Sequence, residues 1–228
     1  MRAIRILSVA ALVGLDVSAA SAQSTRHFTD SWFWGAKVGG MLYQVQSSID
    51  PGSNNSGNTF APLLGADWLI TRKNGGLYVS FDYSIFDNSV FVNDSISPLD
   101  TVPRTVRLNN ARRFTIAGMF FPLNNDRVHP YAGIGVAMQS IVEVEPVGSF
   151  SGPVQQNLVL STINQFKTVG TPVVILGIQA RLFGLSGFAQ GTAVPANNNF
   201  FLWTQNGWRL TAEAGLRYNI GSSIDRMR

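Results

Sequence analysis

Along most of the chain, apolar and polar residues alternate with a period of two. In NGWRLTAEAGLRYNI (206–220), Trp208, Leu210, Ala212, Ala214, Leu216, Tyr218 and Ile220 form one set, and Arg209, Thr211, Glu213, Arg217 and Asn219 the other. Such alternation describes an extended strand with two unlike faces. GLYVSFDYSIFD (76–87) repeats it, with Leu77, Val79, Phe81, Tyr83 and Ile85 against Ser80, Asp82 and Ser84. RRFTIAGMFF (112–121) sets Phe114, Ile116 and Phe120 against Arg113, Thr115 and Ala117. VVILGIQARL (173–182) sets Leu176, Ile178, Ala180 and Leu182 against Gln179 and Arg181. LLGADWLIT (63–71) carries Asp67 on its polar side, and WFWGAKVGGMLYQV (32–45) carries Lys37. YAGIGVAMQ (131–139) and the weaker SGFAQGTAV (186–194), which has no assignable facing, complete eight strands.

The connections alternate long and short: SSIDPGSNNSGNT, RKNGG, NSVFVNDSISPLDTVPR, LNNDRVH, a long piece around VEPVGSFSGPVQQNLVLSTIN, FGLSG and ANNNFFLWTQ. Short periplasmic turns and longer extracellular loops have this rhythm in transmembrane barrels. In KNGG, Asn-Gly has the chemistry of a tight hairpin, because both residues tolerate positive φ. Pro62 and Pro172 fall near strand starts, where a missing N–H does least harm to a ladder. The expected fold is all-β: a transmembrane, antiparallel, up-and-down β-barrel of eight strands with short periplasmic turns and long extracellular loops.

The start of the chain changes the picture. MRAIRILSVAALVGLDVSAASAQ has Arg2 and Arg5, an apolar run from Ile6 to Leu15, and small residues up to Ala22. This is the pattern of a secretory signal cut after Ala22. The expected organisation is a signal peptide (1–22), a periplasmic N-terminal segment (23–31), the barrel (32–220) and a short tail (221–228). Charged residues are only 13% of the chain, against roughly 25% in soluble domains. Losing Arg2, Arg5 and Asp16 with the signal lowers the formal charge from +4 to +3, too weak and scattered for nucleic acid. With no cysteine, neither a disulfide framework nor a lipidated Cys is available. No apolar stretch of the mature chain reaches the ~20 residues of a membrane helix, so any crossing falls to strands.

A closed barrel in hydrocarbon satisfies its own backbone and turns its apolar face outward. Trp32, Phe33 and Trp34, then Phe120 and Phe121, then Trp203 and Trp208 suit the aromatic girdles of two membrane interfaces. The polar set then fills the lumen: Lys37, Arg113, Arg181, Arg209 and Arg217 against Asp67, Asp82, Glu143 and Glu213, with Gln179 among them. Eight strands leave an interior that side chains fill, so these groups are expected to pair. Gly133, Gly135 and Ala137 are expected to make room for large neighbours such as Arg113.

GADWLITRKNGGLYVSFDYSIF, VHPYAGIGVAM and AEAGLRYNIG resemble the second-to-third strands, the fifth strand and the closing strand of OmpA-type and related eight-stranded outer-membrane β-barrel domains of Gram-negative bacteria. The resemblance implies the architecture, an outer-membrane address, contact with outer-membrane lipid and insertion by the barrel-assembly machinery. The chain departs from it by ending in Arg228, which leaves Tyr218 as the nearest aromatic for the terminal signal such barrels carry. It also has no C-terminal peptidoglycan-binding domain, so wall anchoring is not implied.

Catalysis finds no support in the residues. The two histidines, His27 and His129, fall in the N-terminal segment and a predicted periplasmic turn, so no nucleophile and base pair near the outer leaflet. Gly133-Ile-Gly135 lies inside a strand and is no nucleotide loop; no cofactor and no metal site is indicated. The long loops carry Phe91, Phe150, Phe200 and Phe201 and are expected to be solvated, with no loop partner specified. The resulting expectation is a plugged, ion-paired barrel with a structural or surface-exposed envelope role. Two alternatives stay open: a narrow channel for ions or small solutes, and a secreted lipocalin-like binder of an apolar ligand with Trp68 and Leu216 lining its cavity.

Overall fold

The computed structural model describes residues 28–46, 56–97, 100–123, 127–182, 185–195 and 208–222. The expected signal peptide, His27, Trp203, Phe200, Phe201 and residues 223–228 of the tail lie outside these residues, whereas Gly221 and Ser222 belong to the last strand. Eight antiparallel strands close into one barrel in chain order: β1 (Ser31–Gln46), β2 (Ser56–Arg72), β3 (Gly75–Ser97), β4 (Asp100–Phe120), β5 (Val128–Val147), β6 (Thr168–Leu182), β7 (Leu185–Pro195) and β8 (Trp208–Ser222). A register path starting at Thr168 runs through Ser140, Arg112, Tyr83, Leu64, Val38, Ala214 and Ala189. It returns to β6 at Ile178, ten residues further along. With eight strands this stagger corresponds to a strand tilt of roughly 40°.

The alternation read from the sequence maps onto the two faces. On β8, Leu210, Ala212, Ala214, Leu216, Tyr218 and Ile220 point outward, whereas Arg209, Thr211, Glu213 and Arg217 are buried inside. Leu216 is 52% exposed and its neighbour Arg217 0%. The outer belt continues through Val38, Phe81, Ile134 and Leu176, all strongly exposed. An apolar exterior around a charged interior is inside out for a soluble barrel, which sets aside the lipocalin-like arrangement. β7, whose facing the sequence left unassigned, turns Ser186, Phe188, Gln190, Thr192 and Val194 inward.

Several expectations are corrected. Residues 88–97 and 100–104 are not a loop: β3 and β4 stay paired out to Ser97↔Asp100. A helix, α1 (Pro153–Phe166), interrupts the long connection between β5 and β6; it opens on Pro at its first turn, where a missing N–H is harmless. Phe33 and Phe121 point into the lumen at 2% and 1% exposure, rather than out into a girdle. His129 is the second residue of β5, buried, with its ring stacked on Phe28 at 3.7 Å. Phe150 packs inside the extracellular mouth rather than in a solvated loop. The β2–β3 turn is Lys73-Asn74, with Lys73 at φ 44° and Gly75 already in β3, one residue earlier than Asn-Gly suggested. Gly133 makes room for a large neighbour, but that neighbour is Met119 rather than Arg113, and Gly135 gives way to the β4 backbone at Ile116 and Ala117.

The prolines sit where a ladder has already stopped. Pro62 lies one residue beyond the last β2–β3 pair, Leu63↔Ser84, and Pro172 lies beyond the last β6–β7 pair, Val174↔Ala193. Each missing N–H is therefore tolerated inside a long strand.

Candidate functional site: the ion-paired lumen

The middle of the lumen holds a closed ring of four charges drawn from four strands. Lys37 Nζ on β1 lies 2.7 Å from Asp82 Oδ1 on β3, a close ion pair off the hydrogen-bonding direction, and donates to Glu213 Oε2 on β8 at 2.7 Å. Arg113 on β4 completes the ring: its Nε donates to Asp82 Oδ2 at 2.9 Å, its Nη2 to Glu213 Oε1, and its Nη1 to Thr211 Oγ1 at 3.1 Å. Signs alternate around the ring, so each charge has two opposite neighbours. In a water-poor interior this arrangement offsets desolvation that a single pair would not.

A second unit lies toward the periplasmic end. Arg217 on β8 grips Asp67 on β2 with two hydrogen bonds, Nε to Oδ1 at 3.0 Å and Nη2 to Oδ2 at 2.8 Å, and its Nη1 donates to Gln179 Oε1 at 2.7 Å. The guanidinium lies 3.7 Å from the centre of the Phe188 ring, where a cation on an aromatic face is favourable. Gln190 joins the units, its Nε2 donating to Tyr78 Oη at 2.9 Å and to Glu213 Oε2 at 2.8 Å, while Tyr131 Oη donates to Gln190 Oε1 at 2.9 Å.

Both units span a glycine. Asp67, Gly35 and Arg217 are register partners across β2, β1 and β8, and Lys37, Gly65 and Asp82 across β1, β2 and β3. A Cβ at Gly35 would strike the Asp67 carboxylate and Arg217, and one at Gly65 would strike Asp82. The missing side chains let ions two strands apart meet over the intervening strand. The sequence reading had missed Gly35 and Gly65, together with Tyr78, Tyr131 and Gln190. A signal was present for the glycines, since each lies on the polar parity of its strand two residues from a charge.

Apolar layers close both ends. At the periplasmic end Phe33, Leu69, Tyr78, Met119, Phe121 and Tyr131 pack together, with Phe28 against them. Thr71 Oγ1 donates to Phe28 O at 2.5 Å and accepts from Ser31 N at 3.0 Å, pinning the segment before β1 beneath the mouth. At the extracellular end Met41, Ala61, Val106, Leu108, Ala111 and Ile141 enclose Ile163 of α1. Asp94 on β3 holds the approach to α1, accepting from Ser151 Oγ at 2.7 Å, Ser151 N at 2.8 Å and Arg104 Nε at 3.2 Å. The Ser151 hydroxyl, then its amide and Arg104, hold the Asp94 carboxyl below the usual carboxylate range.

Of the predicted lumen residues, Lys37, Asp67, Asp82, Arg113, Glu213 and Arg217 form the network with Gln179. Arg209 is buried on the inner face of β8, above the ring. Arg181 has inward parity but is exposed at the periplasmic end of β6. Glu143 is not in the lumen. Ala111 and Ile141 face inward as a pair, and so do Leu108 and Val144, so both strands change parity between these pairs, where Asn110 sits at φ 56°. Glu143 is thereby turned outward, within 3.5 Å of Asn109 Nδ2.

A closed eight-stranded antiparallel barrel with an apolar belt has the fold of a transmembrane β-barrel. No family model and no curated protein matches the chain by sequence. Among solved structures, the outer membrane protein OprG of Pseudomonas aeruginosa is similar at a TM-score of 0.52 and 11% identity, covering 88% of this chain and 100% of that one. Neisserial surface protein A follows at 0.47 and 13% identity, covering 84% of this chain and 98% of that one. The N-terminal β-barrel domain of Pseudomonas aeruginosa OprF gives 0.45 and 11%, covering 84% and 98%. At these identities the likeness is one of fold.

Proposed function

We propose that this chain is a non-conducting outer-membrane barrel with a structural or surface-exposed envelope role. The observation that carries the reading is the closed Lys37–Asp82–Arg113–Glu213 ring, which ties β1, β3, β4 and β8 together across the lumen. An ion on this route would have to break two or more buried pairs and pass an apolar layer at each end. Charge excess in a wide pore would favour conduction; paired charges between apolar plugs oppose it. The same enclosure argues against catalysis by Asp67, Asp82 and Glu213, because these carboxylates are buried away from solvent and out of a substrate's reach.

The test is conductance of the mature protein reconstituted in planar bilayers, after a gel shift between boiled and unboiled samples has established the folded barrel. The expected record has no steady single-channel steps. Reproducible ohmic steps that change when Glu213→Gln is introduced would replace this reading with a narrow channel through the ring.

A further inference from the structure

We infer that Arg112, with Tyr83 and Ser140 beside it, forms a docking site on the outer wall for the phosphate of a lipid headgroup in the outer leaflet. The site is located by the point at which the exterior changes character. Up the outer face of β4 the residues run Phe120, Gly118, Ile116 and Phe114, then Arg112, and past the parity change Asn109 and Arg107. On β5 the same ascent runs Ile134, Val136 and Met138, then Ser140, then Glu143 and Glu145; on β3 it runs Phe81, Tyr83 and Ile85, then Asp87. Hydrocarbon-facing surface ends at this level, and Arg112 is the first cation above it.

Arg112 is exposed, and its register partners are Tyr83 on one side and Ser140 on the other. Ser140 Oγ lies 2.9 Å from Thr168 Oγ1, so hydroxyls continue from Ser140 toward β6. The neighbouring charges are committed elsewhere: Arg107 Nε donates to Asp87 Oδ1 at 2.9 Å, and Glu143 is met by Asn109 at 3.5 Å. Among the described residues Arg112 has no ion-pair partner. A guanidinium presents donors in a planar fork that fits a phosphate bidentately. Placed just above hydrocarbon and between hydroxyls, it meets the depth at which lipid phosphates lie. Glu143 and Glu145 above it disfavour a second anionic group further out, which selects a single phosphate close to the acyl chains over an extended polyanion.

The inference rests on the belt facing lipid, and its test separates the two. The mature protein is refolded in a neutral detergent, its barrel checked by the gel shift, and titrated with phosphatidylglycerol or with a glycosyl diacylglycerol of the same chains but no phosphate. Retained lipid is counted by native mass spectrometry. The native barrel is expected to retain the phosphate lipid preferentially. Arg112→Gln should lower that retention about fivefold, the effect of one arginine at a membrane surface, while Arg107→Gln leaves it unchanged. Equal retention by Arg112→Gln, equal retention of the phosphate-free lipid, or displacement by inorganic phosphate at the same concentration as the lipid would overturn the site with the barrel intact. A native protein with no gel shift and no lipid uptake would overturn the membrane reading beneath it.

Discussion

The two ends of the same strands are built on opposite plans. Between the periplasmic turns and the level of Arg112, β3, β4 and β5 turn Phe81, Ile116 and Ile134 outward and Asp82, Arg113 and Gln139 inward. Above that level they turn Asp87, Arg107 and Glu145 outward, while Val106, Leu108 and Val144 face inward around Ile163. One sheet serves two solvents. Hydrocarbon requires an apolar wall and tolerates charge only inside; water requires the reverse, and the upper section has the core of a small soluble barrel capped by a helix. On β4 and β5 the changeover is local, since a parity shift of one residue exchanges every side chain between faces; β3 keeps its parity, with Asp82, Ser84 and Asp94 all buried.

Five perturbations rank the two sections against each other, each read by urea unfolding in lipid vesicles followed by the gel shift. Glu213→Ala should have the largest effect, about 3–5 kcal/mol, because Lys37 and Arg113 would remain buried with half their counter-charge. The double change Asp67→Leu with Arg217→Met should destabilise less than Asp67→Leu alone, and the opposite order would show that the pairs are not what holds the membrane section. Next comes Ile134→Lys on the belt, at about 2–4 kcal/mol. Glu143→Lys, on the outer face of the upper section, should stay within about 0.5 kcal/mol, and similar values for the two would erase the distinction in solvent. Gly35→Ala falls between Ile134→Lys and Glu143→Lys, at about 1–3 kcal/mol from overpacking against the Asp67–Arg217 pair.

The smallest effect on global stability belongs to Asp94→Asn, which should leave unfolding unchanged and speed proteolysis within 153–166. Its pH counterpart follows from the sign of the shift. The Asp94 carboxyl is held below its ordinary value, so the latch is complete at neutral pH and above the usual carboxylate range, and is lost only as pH falls through the depressed value. Protection of α1 from hydrogen exchange that is flat from pH 7 to 5 and falls in stronger acid is the expected profile; loss already at pH 6 would assign the latch to another group.

The parts legible in the sequence are those where period and residue type agree. On β8, Arg209, Glu213 and Arg217 could only be interior once Leu210 and Leu216 were exterior, and Lys37, Asp67, Asp82 and Arg113 followed by the same logic. Phe33, Tyr78 and Phe121 escaped because an apolar residue does not reveal whether it meets lipid or an apolar plug. β7 is too rich in Gly and Ala to show a face. Glu143 obeyed its parity in the sequence, and only the irregularity at Asn110 turned it outward. In α1, Pro153 at the first turn was a legible start, but its apolar residues do not form a clear stripe and the surrounding polar run resembled a loop.

The ring of charges joins the first strand to the last, because Lys37 stands on β1 and Glu213 on β8, 176 residues apart. A hairpin of β3 and β4 entering lipid by itself would carry Asp82 and Arg113 with the other two corners missing. Each of them gains its second counter-charge only when the seam between β1 and β8 shuts and brings Lys37 and Glu213 into place. Partly assembled sheets are therefore penalised in hydrocarbon, and insertion is driven toward a concerted event in which closure of the wall and completion of the charge ring are the same step.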